Sequence, residues 1–348
     1  MISKILREAE YKVASISSIQ FKIGDRVWPN NLKMTMPGRF KLQKFLRQAV
    51  NSGCQYAVLE VTSEGIKQHR HRFIDFDTAV FTNLTPEHIE RHGGFEEYKR
   101  AKGELFQITK ETHIINLDDK NSGYFWQFPA KNKIGYSIND FSKFQPLKLR
   151  LLGKFNAYNA IAAIKAGLSQ GVSLEICKRA LEKMEVVPGR METVIKEPFA
   201  VIVDYAHTPD ALRKVYETLT ANNQLICVLG AAGGGRDKWK RPELGRIAAQ
   251  YCDQIILTNE DPYDEIPEKI IEEIFSGIST PNLKGQISKV YKILDRREAI
   301  REALKSAQSG DMVIITGKGS EPWMCLARDI KIPWDDREIV REEIKKQP

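Results

Sequence analysis

Apolar residues in the first half of the chain follow two different spacings. Helical spacing, with apolar residues three or four positions apart, predicts helices over residues 2–11 and 38–50. Short continuous apolar runs predict buried strands at residues 56–61, 78–82 and 112–117. Helical patterns lie between these runs, and such alternation of strand and helix is typical of a parallel α/β sheet.

The pattern is interrupted at residues 187–190, where a proline and a glycine break any regular element. The alternation then resumes, with strand candidates at residues 200–203, 225–229, 254–257 and 312–315. We therefore predict an α/β protein of two domains, residues 1–188 and residues 189–348, the second with a doubly wound, Rossmann-like sheet.

The net charge of +8 is compatible with two classes of protein. Nucleic-acid binders concentrate Lys and Arg on one face or in runs. Here the basic residues are interleaved with acidic ones, as in residues 96–100. This distribution favours a solvated surface with a site for anionic substrates, so we predict no nucleic-acid partner.

Cysteine usage and hydropathy indicate the cellular compartment of the protein. The five cysteines are scattered and never spaced as Cys-x-x-Cys, which argues against a disulfide framework and a zinc site. No apolar run approaches the roughly 18 residues needed to cross a bilayer, and the N-terminus carries too many charges for a signal peptide. We predict a cytoplasmic protein without membrane insertion, with most cysteines buried.

Polar residues follow most of the predicted strands. Ligands of open parallel sheets bind beyond the carboxyl ends of the strands, so these positions are candidates for a site, and we expect a cleft between the domains. The candidates are Glu60, Asn83, Asp118, Asp204, Gly230 to Asp237, Asn259 to Asp261, and Gly317 to Glu321.

Three residues of the first domain are candidates for a metal site. Taken singly, Glu60 is a solvated strand end, His88 a structural histidine and Lys102 a surface lysine. Together, a carboxylate, an imidazole and a helical lysine suit Mg²⁺, which takes mainly oxygen ligands. The lysine fits such a site only if its side chain becomes an acidic, negatively charged group.

The segments around these residues resemble the central domain of Mur ligases, above all those that add the third residue of the stem peptide. The matching segments are Leu59-Glu60-Val61-Thr62-Ser63, Phe81-Thr82-Asn83-Leu84, Glu87-His88, His92-Gly93 and Glu97 to Lys102. The resemblance implies that Glu60 and His88 hold Mg²⁺ and that Lys102 is carbamylated on its amine. It runs from about residue 1 to about residue 345.

The same resemblance implies a site for a UDP-muramoyl peptide. Thr35 opens a segment similar to the family's Thr-Thr-Pro, in which Met36 departs from the second threonine. Thr62, Gln68 and Arg70 match positions that grip this substrate, and an arginine suits a carboxylate or a phosphate. In addition, Glu64 replaces a common histidine.

Nucleotide contacts are implied by three further segments. Asn156 and Asn159 match the family's Gly-x-Phe-Asn-x-x-Asn, although helix capping is the alternative explanation. Arg190 is expected to contact ATP phosphates, and Asp204, in Asp-Tyr-Ala-His-Thr-Pro, to lie near the ribose. Glycines at 233–235 would let the backbone approach a ligand closely.

Two segments concern the amino acid that is added. Where relatives specific for diaminopimelate carry Asp-Asn-Pro-Arg, Tyr263 replaces the arginine, which predicts a preference for lysine or another residue without a second carboxylate. Alternatively, a nearby basic residue such as Lys238 or Arg241 restores that contact. Asp261 and Glu321 are the expected substrate contacts, Glu321 for the ammonium of a diamino acid. A tail element, Asp335-Asp336-Arg337-Glu338, is interpreted as solvated.

The resemblance implies an ATP-dependent ligase with Mg²⁺ as cofactor. Its partners would be a UDP-MurNAc-dipeptide and a free amino acid, joined through an acyl phosphate, and we expect a monomer. Arg190 and Lys318 are candidate cations for the transferred phosphoryl group. The alternatives are a folylpolyglutamate synthase-like ligase, which shares the fold and chemistry, and a non-catalytic binding protein.

One family element does not occur in the sequence. No Gly-x-x-x-x-Gly-Lys-[Ser/Thr] phosphate loop is present, and residues 1–6 are similar to the helix that should follow it. We therefore expect a free edge or a gap in the first sheet, where the strand before that loop belongs. A misplaced start codon or a fragment is favoured over a functional short form.

Overall fold

A computed structural model describes residues 1–32, 34–87, 89–219, 224–278 and 288–346. The chain divides into two compact units, Met1–Glu185 and Val186–Pro348. No helix within the described ranges combines the length and apolar composition that a bilayer crossing requires. The cysteines are free thiols, and all except Cys54 are buried, as the sequence predicts.

The first unit contains short strands and longer helices in alternation. Its helices are α1 (Ile2–Glu8), α2 (Arg39–Asn51), α3 (Ser63–Lys67), α4 (Ile89–His92), α5 (Phe95–Ile108), α6 (Ser122–Trp126), α7 (Asp140–Lys143), α8 (Lys154–Ser169) and α9 (Leu174–Glu182). Its strands are β1 (Val13–Ile16), β2 (Gln20–Ile23), β3 (Arg26–Pro29), β4 (Tyr56–Leu59), β5 (Thr78–Phe81), β6 (Thr112–Asn116) and β7 (Asn132–Tyr136).

These strands form two sheets rather than the single parallel sheet that the sequence predicts. Within the described residues the orders are β3-β2-β1-β4 and β5-β6-β7. The β1–β4 pair and the β5-β6-β7 sheet are parallel, whereas β2 pairs antiparallel with β1 and β3. Within the part of the chain that the structure describes, β4 and β5 are each an end strand of their sheet, whereas the missing strand stays a prediction.

Each sheet has its own apolar core. The first is filled by α2, whose Leu42 and Phe45 pack with Ile16 and Phe21. The second is aromatic, and the rings of Phe81 and Phe125 stack with their centroids 3.9 Å apart. Close packing of these side chains fixes the end of β4, which Glu60 follows, and the helix α5, which carries Lys102.

The second unit is the doubly wound domain that the sequence predicts. Its helices are α10 (Pro209–Leu219), α11 (Lys240–Tyr251), α12 (Pro267–Phe275), α13 (Arg296–Ser306) and α14 (Asp336–Ile344). Its strands are β8 (Glu192–Ile195), β9 (Ala200–Val203), β10 (Leu225–Leu229), β11 (Gln254–Leu257), β12 (Lys289–Lys292), β13 (Met312–Ile315), β14 (Trp323–Cys325) and β15 (Lys331–Pro333).

The main sheet of this unit has the order β12-β11-β10-β13-β9-β8, parallel except for β8 at one edge. The four predicted strands are its four interior strands, and they supply half of the residues of the buried apolar cluster, while α13 and α14 supply most of the rest. Since their carboxyl ends lie along one edge, the loops that follow β9, β10, β11 and β13 meet there.

Candidate functional site

Glu60 lies directly after β4, beside the turn that follows β1. Its backbone N–H donates to the Ile16 carbonyl at 3.0 Å, and its carboxylate accepts the Ser18 backbone N–H at 3.0 Å. The side chain is exposed, so this carboxylate can take a ligand from solvent. The strand end thus presents an oxygen donor of the kind that Mg²⁺ prefers.

Lys102 projects from α5, with its ammonium nitrogen 5.3 Å from the centre of the Tyr98 ring. Burial lowers the pKa of this ammonium, and the carboxylates of Glu87 and Glu60 act in the opposite direction. Lys102 is therefore within electrostatic range of both carboxylates. A lowered pKa increases the fraction of neutral amine, which is the form that carbamylation requires.

The other proposed ligand, His88, lies outside the described residues. Within the described ranges, no group of three or more His, Cys, Asp or Glu side chains is arranged to hold a metal ion. The two described members of the predicted site nevertheless suit Mg²⁺. Glu60 offers carboxylate oxygens, and a carbamate on Lys102 would add others. Sequence reasoning did not assign Glu87, although it adjoins His88 in the matching segment.

The residues assigned to the muramoyl peptide fall into one region of the first unit. Arg70 donates to the Gln68 side chain and to the Met36 carbonyl. Thr62 caps α3, because its hydroxyl accepts the Gly65 N–H at 3.1 Å. Arg70 thus connects α3 with the segment that contains the half-buried Thr35.

Two departures from the family pattern in this region have structural explanations. Met36 is 1% exposed and belongs to the core, and a Cβ on Gly65 would lie 2.6 Å from its sulfur. Glu64 forms an ion pair with Arg91 at 2.7 Å, and Lys67 donates to the Arg91 carbonyl at 2.8 Å. The glutamate therefore helps to hold α4, which follows the segment containing His88.

The two asparagines assigned to the nucleotide lie inside α8, so the capping explanation is wrong. Gly153, with φ +93°, occupies the N-cap position and has no side chain to act as a cap. Asn156 instead donates to the Leu152 carbonyl at 2.7 Å, and Asn159 donates to the Asn156 side chain at 3.4 Å. Asn159 is exposed, which leaves its amide accessible from solvent.

Asp204 follows β9 and is 5% exposed. Its carboxylate accepts the backbone N–H groups of Met191 and Ala206, each at 2.7 Å. Burial raises the pKa of Asp204, while these hydrogen bonds and the nearby Arg190 oppose the shift. The Arg190 guanidinium lies 4.4 Å from the centre of the Tyr205 ring, so the two assigned nucleotide residues are brought together.

The glycine-rich turn after β10 packs against the loop that follows β11. A Cβ on Gly233 would lie 2.3 Å from the Pro262 carbonyl oxygen. A Cβ on Gly234, whose φ is +64°, would lie 2.6 Å from the Tyr263 ring. These contacts within the protein account for the two glycines, which the sequence attributes to close approach of a ligand.

The residues assigned to the amino acid surround a buried lysine. The Lys318 ammonium donates to Asp261 at 2.9 Å and to Glu321 at 2.6 Å, and its side chain is fully buried. Asp261 also accepts the Cys325 N–H at 2.8 Å, and Glu321 accepts the Tyr205 hydroxyl at 3.2 Å. Lys318 is thus paired with two carboxylates, and its role as a cation for the transferred phosphoryl group stays a prediction.

The two basic residues that were considered as replacements for the missing arginine are engaged elsewhere. Arg241 is fully buried and donates to Glu273 at 2.6 Å and to Glu265 at 3.1 Å. Lys238 pairs with Glu265 at 3.3 Å. Tyr263 itself has a φ of +52°, a backbone conformation that is uncommon for residues other than glycine.

Two acidic residues that the sequence names without assigning a separate role, Glu260 and Asp336, are buried in the structure. Glu260 is 4% exposed, and its Oε2 atom has no hydrogen-bond partner among the described residues. Asp336 is fully buried and pairs with Arg296 at 2.7 Å, so the prediction of a solvated tail element is wrong. The sequence does not predict the burial of either residue, because that burial depends on residues distant in sequence, Gly317 beside Glu260 and Arg296 beside Asp336.

Comparison with known proteins gives a consistent result for both units. The family model "Mur ligase middle domain" matches residues 1–146, and "Mur ligase, glutamate ligase domain" matches residues 189–319. A UDP-N-acetylmuramoyl-L-alanyl-D-glutamate--2,6-diaminopimelate ligase from Caldanaerobacter subterraneus subsp. tengcongensis is 38% identical, covering 98% of this chain and 74% of the relative. The ligase of the same name from Geobacillus kaustophilus is 36% identical, covering 100% and 76%.

Solved structures give the same result. A structure of a UDP-N-acetylmuramoyl-L-alanyl-D-glutamate--2,6-diaminopimelate ligase has a TM-score of 0.62 at 31% identity, covering 99% of this chain and 74% of that chain. A folylpolyglutamate synthase from Mycobacterium tuberculosis, complexed with ADP and AMPPCP, has a TM-score of 0.69 at 14% identity, covering 91% and 84%. The second likeness concerns the fold alone.

Proposed function

The chain belongs to the Mur ligase family, and on this premise we propose that it is an ATP-dependent ligase of peptidoglycan precursor synthesis. It would join an amino acid to a UDP-MurNAc-dipeptide through an acyl phosphate. The observation that carries this proposal is the 38% identity to a diaminopimelate ligase over 98% of the chain. The environment of Lys102 supports it, because burial lowers the pKa of this lysine and so favours the neutral amine, the form required for the carbamylation that the family resemblance implies.

The proposed metal site consists of Glu60, His88 and carbamylated Lys102. Mg²⁺ bound there would stabilise the negative charge on the phosphoryl group in transfer. Burial favours the neutral amine of Lys102, whereas the carboxylates of Glu87 and Glu60 favour its charged form and only partly offset the effect of burial. A carbamate there would supply a negative charge at a position where the unmodified lysine carries a positive charge or none.

The remaining assignments follow the family pattern. We propose that Thr35, Thr62, Gln68 and Arg70 bind the UDP-muramoyl peptide, with Arg70 orienting the segment around Met36 through its carbonyl contact. We propose that Asn156, Asn159, Arg190 and Asp204 bind ATP. The guanidinium of Arg190 is oriented by the Tyr205 ring, which suits a phosphate contact.

The charge balance around Lys318 supports a cationic amino acid as the substrate. Two carboxylates, Asp261 and Glu321, share this one ammonium group, and Glu321 is only partly covered. A second ammonium at Glu321 would neutralise the cluster, which favours a diamino acid. Since Tyr263 provides no cationic fork and Arg241 is already paired, we propose lysine in preference to diaminopimelate.

The test is a competition assay with the full chain. Purified protein would be incubated with ATP, Mg²⁺, UDP-MurNAc-L-Ala-D-Glu and equal concentrations of lysine and diaminopimelate, and the products identified by mass spectrometry. We expect the wild-type protein to form mainly the lysine product. In Tyr263→Arg the ratio of diaminopimelate product to lysine product should increase roughly tenfold or more, because the arginine restores a bidentate pair with the second carboxylate.

Each other outcome contradicts a defined part of the proposal. A predominant diaminopimelate product from the wild-type protein would refute the assigned specificity and leave the reaction class intact. Turnover of a folate with glutamate, and not of the muramoyl peptide, would refute the substrate assignment. Absence of nucleotide binding, measured with and without Mg²⁺, would refute the ligase activity of this chain.

A further inference from the structure

Arg296, the first residue of α13, places a fully buried guanidinium inside the second unit. It forms a bidentate pair with Asp336, from Nε to Oδ1 at 2.9 Å and from Nη2 to Oδ2 at 2.7 Å. Both side chains are 0% exposed. Asp336 is held in turn by the Trp334 indole N–H at 2.8 Å. A buried ion pair with these additional hydrogen bonds has a fixed geometry.

The same guanidinium also donates to two backbone carbonyls. Its Nη1 atom contacts the Asn259 carbonyl oxygen at 3.2 Å, and its Nη2 atom contacts the Thr316 carbonyl oxygen at 2.8 Å. Asn259 belongs to the loop after β11 that carries Asp261, and Thr316 directly follows β13 and precedes Lys318. One side chain therefore joins the two loops whose acidic and basic residues form the proposed amino-acid site.

The geometry of the site depends on the relative position of these loops. Asp261 and Lys318 meet at 2.9 Å, a charge-assisted contact that weakens steeply when its atoms separate. The planar fork of an arginine can serve a carboxylate and two carbonyls together, whereas a lysine ammonium is a single point. Arg296 thus has the donor geometry needed to set both loops.

We propose that Arg296, held by Asp336, is a positioning residue that fixes the loops after β11 and β13 in the register needed to bind the incoming amino acid. This inference rests on the proposed function, because it takes Asp261, Lys318 and Glu321 as the amino-acid site. Arg296 acts through these residues and does not itself contact the substrate.

The chain offers a matched control on the same pair of helices. Glu343 of α14 is a buried carboxylate that accepts hydrogen bonds from Arg297 at 2.9 Å and from Arg301 at 2.6 Å, both on α13. Among the described residues, the guanidinium groups of these two arginines donate to the carboxylates of Glu343, Glu342 and Glu298, none of which lies in the two site loops. Glu343→Gln therefore weakens the contact between α13 and α14 and leaves the Arg296–Asp336 pair and its two carbonyl contacts unchanged.

The first test measures hydrogen–deuterium exchange in the full chain. In Asp336→Asn we expect faster exchange at residues 258–263 and 316–321, whereas Glu343→Gln should leave both segments unchanged. Because removing one partner of a buried pair is costly, Trp334→Phe is the milder second variant, and it should show the same pattern with a smaller change. Equal exchange of the two loops in all three variants and the wild type would overturn the inference.

The second test measures amino-acid binding by titration calorimetry. We expect lysine to bind about tenfold more weakly to Asp336→Asn, the loss that corresponds to one hydrogen bond to a charged group, with unchanged ATP affinity. Glu343→Gln should bind lysine as the wild type does. Equal weakening in both variants would indicate general destabilisation and contradict positioning.

The two tests separate failure of the inference from failure of the proposed function. If the wild-type protein binds neither lysine nor diaminopimelate, the proposed amino-acid site is wrong, and the exchange data still decide whether Arg296 sets the two loops. If the wild type binds lysine and Asp336→Asn binds it equally well, the site stands and the positioning role of Arg296 is refuted.

Discussion

Lys102 in the first unit and Lys318 in the second lie at the two candidate sites in opposite electrostatic environments. Burial lowers the pKa of Lys102, and the carboxylates of Glu87 and Glu60 only partly offset this. Burial acts in the same direction on Lys318, yet Glu321 and Asp261 raise its pKa above the ordinary value. The two carboxylates bonded to Lys318 lie at 2.6 and 2.9 Å, and this direct pairing decides the sign.

The difference separates a lysine available for chemistry from one that belongs to the folded structure. An amine whose charged form is disfavoured can lose its proton and react. An ammonium enclosed by two carboxylates stays charged and orders them. If the proposed metal site is correct, the first site would be completed by what it binds, whereas the residues of the second are already joined by ion pairs within the protein.

The largest effect is expected for Lys318→Met, which tests whether this lysine is part of the folded structure. Asp261 would remain buried without its cation, and loss of one partner of a buried pair costs about 3–5 kcal/mol in the free energy of unfolding. Urea denaturation followed by circular dichroism measures this change. A loss below about 1 kcal/mol would show that the cluster contributes little to folding.

The same substitution at the first site, Lys102→Met, should reduce catalysis and spare stability. Activity should fall about 100-fold, as for removal of one group that stabilises transition-state charge, while the free energy of unfolding changes by less than about 1 kcal/mol. A ¹³C carbamate signal, obtained with labelled bicarbonate, should be present in the wild type and absent in the variant. Lys99→Ala, on the same helix, is the control and should keep both the signal and the activity.

Asp204→Asn should produce the smallest effect and adds a third buried group to the comparison of Lys102 with Lys318. Among the described residues, the Asp204 carboxylate is buried without a direct ion pair. We expect ATP to bind roughly tenfold more weakly, because a charge-assisted contact is lost. Burial raises the pKa of Asp204 above its ordinary value of 3.8. Between 3.8 and this raised pKa the folded wild type binds more protons than the unfolded chain, so its free energy of unfolding decreases as the pH rises through that range. The variant lacks this dependence.

Thermal unfolding between pH 3.5 and 7 checks the sign for Asp204. The stability of Asp204→Asn relative to the wild type should improve as the pH increases from 3.8 towards neutrality. The opposite trend would show that the hydrogen bonds from Met191 and Ala206 outweigh the cost of burial.

Most strands with continuous apolar runs were predictable, whereas the apolar β1 (Val13–Ile16) and the more polar strands were not. The sequence predicts β4, β5, β6, β9, β10, β11 and β13, all of which the structure contains. It gives no indication of β7 or β12, whose segments Asn132–Tyr136 and Lys289–Lys292 are edge strands with few apolar residues. An edge strand needs fewer apolar positions, so its pattern is weak.

The positions of candidate side chains that follow buried strands were predictable in the same sense. Asp204 and Asp261 were selected because they follow buried strands, and the structure places both in polar loops at the strand ends. Arg296 has no such signal, because it opens a helix among other charged residues. Its partner Asp336 was misinterpreted as solvated for the same reason.

By itself, the sequence determined the strand–helix alternation, the break near residues 187–190 and the order of the motifs that show family membership. These properties depend on local spacing, which the chain carries wherever it folds. Only the tertiary structure decided that Lys318 is neutralised by Asp261 and Glu321, and that Arg296 joins two distant loops to Asp336. Such pairings depend on which charges are desolvated together, and burial by distant segments leaves no periodic trace in the sequence.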